Sequence, residues 1–272
     1  MFTSISYFQA FLIGSCIGSF LNVIAYRFPN DLSVVKPRSF CPNCKTKLTW
    51  KENIPLFSWF IQKGKCINCY LPISFKYPLI EFLTGILFVV FINSSPSSLT
   101  FNDNLIFNIF FSWLFLSLLI CIALIDIECL WIPQGLINFG FISGVLGLVI
   151  TASLNEKFID LFFIIRCLST SAISFLTFEF VRSLSKYFFK KDALGKGDSK
   201  LIAMLAIWLG PLGILFAVGI SYIIAAIYCL VGLSTKLLKS RQVIPFAPFL
   251  SIGGLIIWFY GNDFLTEKIM GF

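Results

Sequence analysis

Eight apolar runs divide the chain, and they constrain its fold more than any other feature. A run of roughly 17 to 25 apolar residues is long enough to cross the hydrocarbon core of a bilayer as a helix. The runs lie near residues 5–25, 78–93, 105–125, 132–152, 158–181, 200–213, 214–235 and 244–261. With 58% hydrophobic and 12% charged residues, the composition also differs from that of a soluble domain. The sequence therefore predicts an all-α, polytopic membrane protein with about eight transmembrane helices.

Helix-breaking residues separate the sixth run from the seventh. Gly210, Pro211, Gly213 and Gly219 offer several places at which one long apolar stretch can break. We place the break near residue 213.

The distribution of basic residues predicts the orientation of the spans. Lys and Arg accumulate in cytoplasmic loops, and eighteen of the 21 lie in segments 27–77, 182–200 and 236–243. Eight spans with both ends outside place all three segments in the cytoplasm. The first run has no basic residue before it and is expected to remain as an anchor rather than be cleaved. The net charge of +8 is then a topology signal and an attraction to membrane lipid, and no nucleic-acid partner is expected.

Four cysteines in the first cytoplasmic loop form two CxxC pairs. CPNC supplies Cys41 and Cys44, and CINC supplies Cys66 and Cys69. Two such pairs at about this separation are typical of a tetrahedral zinc site. Four thiolate ligands leave no open position for water, so zinc here would be structural rather than catalytic. The alternatives are four free thiols or two disulfides, and a reducing cytoplasm argues against the disulfides.

Two aspartates lie at the edges of apolar runs, where ionisable side chains are costly and often functional. Asp126 closes the third run in LIDIECLWIP, and Asp198 opens the sixth in GKGDSK. Two carboxyl groups held together can share a proton, so that one acts as a base toward water and the other as an acid toward an amide. The alternative for Asp198 is a helix N-cap. Asp126 opposes the dipole of its own helix, and its alternative is a solvated turn beside Glu128.

The rest of the sequence narrows the possible chemistry. The chain contains no His, which excludes Ser-His-Asp, Cys-His and His-ligated metal mechanisms. It also contains neither a GxxxxGKS/T loop nor a GxGxxG fingerprint. Gly195 and Gly197 are interpreted as a supporting loop that allows unusual dihedrals beside Asp198 and close approach of an extended substrate. Equally, they are consistent with a simple turn.

Six ordered segments resemble the bacterial type IV prepilin peptidases, membrane-embedded aspartic proteases of the GxGD type. They are GSFLNVIAYRFP (18–29), the paired CxxC motifs, KYPLIEFLTG (76–85), LIDIECLWIP, GKGDSKLIAMLAIWLG (195–210) and IPFAPFLSIGG (244–254). The resemblance implies that Asp126 and Asp198 are the catalytic pair. It also implies cleavage after a glycine, at the cytoplasmic face, of a short basic leader on type IV prepilins or pseudopilins. One departure is PQG at 133–135, where Asp or Asn commonly follows the proline.

The resemblance further implies a second activity of many members, methylation of the new N-terminal residue with S-adenosylmethionine. Glu81 is the candidate for binding this cofactor, and its alternative is a surface acid in the first turn of a helix. The chain then divides into a first transmembrane helix (1–26), a zinc loop that is a possible methyltransferase-associated region (27–77), and a peptidase core (78–272).

Three other functions remain open from the sequence. The first is a peptidase without methyltransferase activity. The second is a proton-coupled transporter that uses Asp126 and Asp198 as relay groups. The third is a non-catalytic scaffold whose zinc loop docks a cytoplasmic partner.

Overall fold

A computed structural model describes residues 6–93, 105–154, 161–190, 195–239 and 242–270. Within these ranges the chain is helical, with no strand and only two isolated β-bridges. It forms two compact units, Met1–Asn93 and Ser94–Phe272. The prediction of an all-α protein is confirmed. Five described helices are long and apolar enough to cross a membrane, as expected for a multi-pass membrane protein.

The first unit is built on two apolar helices, α1 (Tyr7–Arg27) and α3 (Lys76–Val90), with the short helix α2 (Phe57–Ile61) between them. A capping box starts α1, because Ser6 and Gln9 each accept the backbone N–H of the other. Helix α3 is about 22 Å long at 1.5 Å per residue, and a 3₁₀ turn over Phe91–Asn93 continues it. The second predicted span was residues 78–93, so α3 begins two residues earlier and its α-helical part ends three residues earlier.

Small residues bring α1 and α3 into close antiparallel contact. A Cβ added at Gly14 would lie 2.8 Å from Phe88, and one at Gly18 would lie 2.9 Å from the Glu81 backbone. The Asn22 amide donates a hydrogen bond to the Tyr77 carbonyl at 3.3 Å. Glycines at this spacing let helix backbones approach in a membrane protein. The structure thus groups α3 with α1, whereas the predicted division placed residue 78 onward in the peptidase core.

The described residues of the second unit form five helices. They are α4 (Leu105–Cys129), α5 (Gln134–Leu154), α6 (Leu161–Phe189), α7 (Lys196–Ser234) and α8 (Ala247–Met270). Helix α7 is broken at Gly210, which has φ 71° and ψ −177°, a conformation essentially restricted to glycine. The predicted break between the sixth and seventh runs is therefore present, three residues before the predicted position.

Aromatic side chains fill the centre of the second unit. Trp208 is fully buried and stacks on Phe115 with ring centroids 4.9 Å apart. Trp258 of α8 packs on the same Phe115 ring and donates a hydrogen bond to Ser112. The Trp208 indole also donates to the Gly140 carbonyl, which joins the first half of α7 to α5. These contacts join α4 and α7, which carry the two candidate catalytic aspartates, to α5 and α8.

Candidate active site and metal centre

Asp126 lies in the last turn of α4 and is only 5% exposed. Its carboxylate accepts a hydrogen bond from the Ala247 N–H at 3.0 Å. Because Ala247 is the first residue of α8, the acid lies at the positive end of that helix dipole. The interaction with α8 therefore offsets the unfavourable dipole of α4. The alternative of a solvated turn is wrong, since the side chain is buried.

Asp198 is the third residue of α7 and is only 7% exposed. Its carboxylate accepts the Gly195 N–H at 3.0 Å, and its own N–H donates to the Gly195 carbonyl at 3.1 Å. Gly195, rather than Asp198, is the N-cap residue. The interpretation of Asp198 as the N-cap residue is thus wrong. Its carboxylate nevertheless accepts the Gly195 N–H, which has no partner within the helix.

The two glycines before Asp198 permit close contacts. Neither has a positive φ, so the expected unusual dihedrals are absent. A Cβ at Gly195 would lie 2.9 Å from the Asp198 carboxylate, and one at Gly197 would lie 2.8 Å from Ile132. Larger side chains at these positions would displace the carboxylate and the neighbouring chain. Their role in supporting a substrate remains a prediction.

The structure brings the two aspartate segments together. Ile132, six residues after Asp126, packs against Gly197, the residue before Asp198. The Asp126 carboxyl group is close enough to act electrostatically on Asp198. Two buried acids from α4 and α7 therefore share one neighbourhood, which is the arrangement that paired-carboxyl catalysis requires.

Gln134 is the residue at which PQG departs from the family pattern. It still links the segment that follows Asp126 to the segment that contains Asp198. Its side-chain oxygen accepts a hydrogen bond from Lys200, two residues after Asp198. Its amide group donates to Asn138 at 2.8 Å, one turn later on α5. Gln134 thus joins the start of α5 to the first turns of α7 through an uncharged group.

A second support for Asp198 was not predicted from the sequence. The fully buried Ser199 hydroxyl donates to Glu179 of α6 at 3.2 Å. Glu179 also accepts hydrogen bonds from Arg182 on the same helix. A Glu and an Arg three residues apart on a helix could have suggested this pair, but the link to Ser199 depends on how α6 packs against α7.

The four predicted metal ligands converge in the first unit. The Sγ atoms of Cys41, Cys44, Cys66 and Cys69 all lie within 4.8 Å of one another. The Cys41–Cys69 and Cys44–Cys66 separations are 3.9 and 4.0 Å. A tetrahedron with metal–sulfur bonds of about 2.3 Å has edges of about 3.8 Å. The cysteines are free thiols, so the group could hold one metal ion and is not disulfide-bonded.

The two CxxC segments form matching turns around this cluster. An isolated bridge joins Phe40 to Lys47 in the first turn, and another joins Lys65 to Pro72 in the second. The Cys41 N–H donates a hydrogen bond to the Thr46 carbonyl, and the Cys66 N–H donates to the Leu71 carbonyl, five residues later in each turn. Lys45 and Tyr70 occupy equivalent positions with φ 58°. The repeat was not detected in the sequence because the two turns share only their cysteines and one asparagine, Asn43 in the first and Asn68 in the second.

The thiols do not ionise equally. Hydrogen bonding to the Thr46 hydroxyl and backbone, with help from Asn68, lowers the pKa of Cys44 to about 6. The Leu71 backbone lowers the pKa of Cys69, but desolvation and the neighbouring thiols outweigh it and raise that pKa to about 11. Four thiolates this close therefore need a bound cation to compensate their charge.

Glu81 is buried between α3, α1 and the loop. It is 8% exposed, and its carboxylate accepts the Leu56 N–H at 2.7 Å. Leu56 has φ 64° and ψ −59°, and the Phe57 N–H donates a hydrogen bond to the Pro55 carbonyl. These features define a strained γ-turn centred on Leu56. The alternative of a surface acid is wrong, because this carboxylate holds a strained turn of the loop against α3.

A cavity of about 350 Å³ lies beside Glu81. Its wall includes Asn22 and Tyr26 of α1, Trp59 of α2 and Tyr77 of α3. A buried carboxylate together with aromatic and amide groups suits a flat ligand that carries positive charge.

Two family profiles match the chain. The bacterial peptidase A24 N-terminal domain matches residues 12–94, and the type IV leader peptidase family matches residues 113–230. The first match covers most of α1, the cysteine cluster and α3, and the second covers both aspartate segments. No solved structure matches the chain.

Curated proteins are similar over most of the chain. The prepilin leader peptidase/N-methyltransferase of Bacillus subtilis (strain 168) is 31% identical over 259 residues, which cover 95% of this chain and 96% of that protein. The protein of the same name from Myxococcus xanthus (strain DK1622) is 36% identical over 208 residues, covering 75% of this chain and 57% of that protein. The type 4 prepilin-like proteins leader peptide-processing enzyme of Escherichia coli O78:H11 is 30% identical, with 89% of each chain covered. This chain belongs to the type IV leader peptidase family.

Proposed function

We propose that the chain is a membrane-embedded aspartic endopeptidase that removes the leader from type IV prepilins or pseudopilins at the cytoplasmic face. The observation that carries the proposal is the approach of two buried acids, Asp126 and Asp198, from separate helices. The names of the similar proteins supply the substrate class. Family membership favours this function over a proton-coupled transporter or a scaffold.

The chemistry follows from the shared proton. The ionised carboxylate takes a proton from water while the water oxygen bonds to the carbonyl carbon of the scissile peptide. The protonated carboxyl group gives its proton to the carbonyl oxygen. When the tetrahedral intermediate collapses, the C–N bond breaks and the leaving amine receives the proton that the first carboxylate took from water. The second carboxylate takes a proton from a hydroxyl of the intermediate as the new carboxyl group forms, which restores the starting state of the pair. Asp126 and Asp198 are the two groups proposed for these steps, and the low exposure of both keeps bulk water from competing for their hydrogen bonds.

Co-expression with a prepilin tests the acid pair. Asp126→Asn and Asp198→Asn each keep a side-chain acceptor oxygen for the observed backbone hydrogen bonds, and each should abolish the mobility shift of the cleaved precursor. Glu128→Gln removes a neighbouring exposed acid and should leave cleavage measurable. Normal processing by either aspartate variant, at equal membrane abundance, would show that the pair does not catalyse cleavage.

The second proposed activity is N-methylation of the new N-terminal residue, with the methyl-donor site in the cavity beside Glu81. S-Adenosylmethionine, when bound, supplies an electrophilic methyl group on a sulfonium. Glu81 would attract the positive charge of this ligand, and Trp59, Tyr26 and Tyr77 would offer aromatic surfaces to it. Asn22 would provide a polar contact at the same wall. The support is the fit between a buried carboxylate, an aromatic wall and a cationic ligand.

Mass spectrometry of the processed N-terminus separates the two activities. Glu81→Gln should yield a cleaved product that lacks the methyl group, because the carboxylate charge is lost while a hydrogen-bond acceptor for Leu56 remains. Glu52 also lines the cavity and instead bonds Thr49, which makes Glu52→Gln the matched control. Full methylation by the Glu81 variant, or loss only in the Glu52 variant, would contradict the assignment of Glu81.

Zinc is the metal proposed for the cysteine cluster, in a structural role. Its preference for four tetrahedral thiolates agrees with the sulfur separations. The zinc loop, residues 27–77, would then support the methyl-donor cavity, while the second unit carries the peptidase. The first proposed domain remains the initial transmembrane helix, residues 1–26.

The proposed topology has eight spans, both ends outside, with the active site on the cytoplasmic side of the plasma membrane. In a cell with two membranes this is the inner membrane. The partners are prepilin precursors and membrane lipid, without nucleic acid. A protease site inserted after Lys63 should be cut in inside-out vesicles and protected in right-side-out vesicles. The reverse pattern would overturn this orientation.

A further inference from the structure

Tyr222 lies on the second half of α7, and the break at Gly210 directs this half back toward Asp198. Two neighbouring residues of α8 support this path. Gly254 packs against Leu205 before the break, and Gly253 packs against Ala217 after it. Both halves of α7 therefore pass the same point of α8, as they do in a helical hairpin. Asp198 and Tyr222 are equally distant from Gly210 in sequence, so the hairpin brings Tyr222 back to the level of Asp198.

Contacts around Tyr222 lead to both acids. Its ring packs against Phe246 with centroids 5.1 Å apart. The next residue, Ala247, donates its N–H to the Asp126 carboxylate at 3.0 Å. Asp198 also lies within electrostatic reach of the phenol. Tyr222 is 45% exposed, whereas the two acids are buried. Part of the Tyr222 side chain is therefore not covered by other protein atoms.

We propose that the Tyr222 hydroxyl is a third catalytic group of this site, which donates a hydrogen bond to the carbonyl oxygen of the scissile peptide as its carbon becomes tetrahedral. The inference rests on the proposed peptidase function. The phenol keeps its proton throughout, so the proton transfers of the two acids remain balanced as described. Its contribution is electrostatic, because a donor aimed at the oxygen stabilises the partial charge that develops there before the acid has delivered its proton.

The phenol has the right properties for this role. A tyrosine hydroxyl is protonated at neutral pH and can donate one hydrogen bond. Loss of one such donor from an oxyanion site lowers kcat by about 10² to 10³. Here the protonated aspartate serves the same oxygen, so we expect a smaller loss of about tenfold to a hundredfold.

Tyr222→Phe tests the hydroxyl while keeping the aromatic ring and its contact with Phe246. The matched control is Tyr228→Phe, on the same helix, where the ring packs against Phe249 at 5.4 Å. Purified full-length variants in lipid nanodiscs should be assayed on a prepilin for kcat and KM. We expect kcat of Tyr222→Phe to fall about tenfold to a hundredfold with KM changed less than about threefold. Tyr228→Phe should match the parent.

Four results would overturn the inference: full kcat in Tyr222→Phe, a loss confined to KM, a loss confined to Tyr228→Phe, or equal losses in both tyrosine variants. A binding assay in the Asp126→Asn background adds a second measurement. Uncleaved prepilin should bind equally with Tyr or Phe at position 222, and weaker binding of the Phe form would assign the hydroxyl to substrate binding. If the Asp198→Asn enzyme still cleaves, the proposed function itself fails, whatever the tyrosine result.

Discussion

Removal of metal from the cysteine cluster is expected to unfold the loop of residues 28–75 and leave α1 and α3 folded. In this fully described stretch only Cys41, Gly64 and Cys66 are buried. A buried large apolar side chain contributes about 1.5–3 kcal/mol, and the loop buries none of this kind. Structural zinc contributes about 10–16 kcal/mol in zinc-finger peptides. A zinc ion bound as proposed would therefore be the largest single contribution to the stability of the loop.

The assay combines elemental analysis with amide hydrogen exchange on the full-length protein in nanodiscs. One zinc per chain is expected before chelation. After chelation, the amides of Cys41 and Cys66, which bond to Thr46 and Leu71 in the two turns, should lose protection. Cys44→Ser should have the same effect. Cys16→Ser, an exposed thiol outside the cluster, should change neither zinc content nor exchange.

Unchanged protection of both turns after complete loss of metal would refute this reasoning, because protein contacts alone would then hold the loop. Equal loss of protection throughout α1 and α3 would refute the claim that their packing is independent of the metal. That packing depends on Gly14, Gly18 and the Asn22–Tyr77 hydrogen bond, none of which involves the cysteines.

Three further outcomes concern the second unit. Gly210→Ala should lower the stability of this unit by about 1–3 kcal/mol, because Gly210 has a backbone conformation that other residues rarely adopt. Gly219→Ala is the control and should leave the stability unchanged, because a Cβ at Gly219 would meet no other atom within 4 Å. Asp126→Ala should lower thermal stability by about 1.5–3 kcal/mol through loss of the charge-assisted bond to α8, whereas Asp126→Asn keeps an acceptor and should cost less. Gly144→Leu should prevent normal packing of α5 against α7, because a Cβ there already meets an indole at 2.7 Å. Thermal unfolding of detergent-purified variants checks all three, and parent-like midpoints for Gly210→Ala, Asp126→Ala and Gly144→Leu would contradict them.

Local patterns predicted the parts of the site that depend on neighbouring residues. The CxxC spacing identified all four cysteines that converge in the first unit. Gly210 and Pro211 marked a real break in α7, since backbone conformation is largely a local property.

Two of the alternative interpretations, a surface acid at Glu81 and a solvated turn at Asp126, were wrong because the deciding contacts are distant in sequence. The residues next to Glu81 were consistent with a surface acid, yet the loop around Leu56 folds over its carboxylate and buries it. The negative charge of Asp126 is unfavourable at the C-terminal end of its own helix dipole, yet the first N–H of α8 provides a hydrogen-bond partner for it. Tyr222 had no local pattern of its own, because its relation to Asp198 depends on the reversal of α7 at Gly210.

The sequence by itself determined that this chain is helical and apolar, where its helices break, and which thiols and acids are available for chemistry. These properties follow from side-chain hydrophobicity, spacing and backbone preference over a few turns. Only the tertiary structure decided which groups meet: Asp126 with the first N–H of α8, Glu81 with the turn at Leu56, and Tyr222 with the neighbourhood of Asp198. Such meetings depend on how whole helices pack, because a contact between residues more than a hundred positions apart is specified by shape and volume rather than by any local pattern.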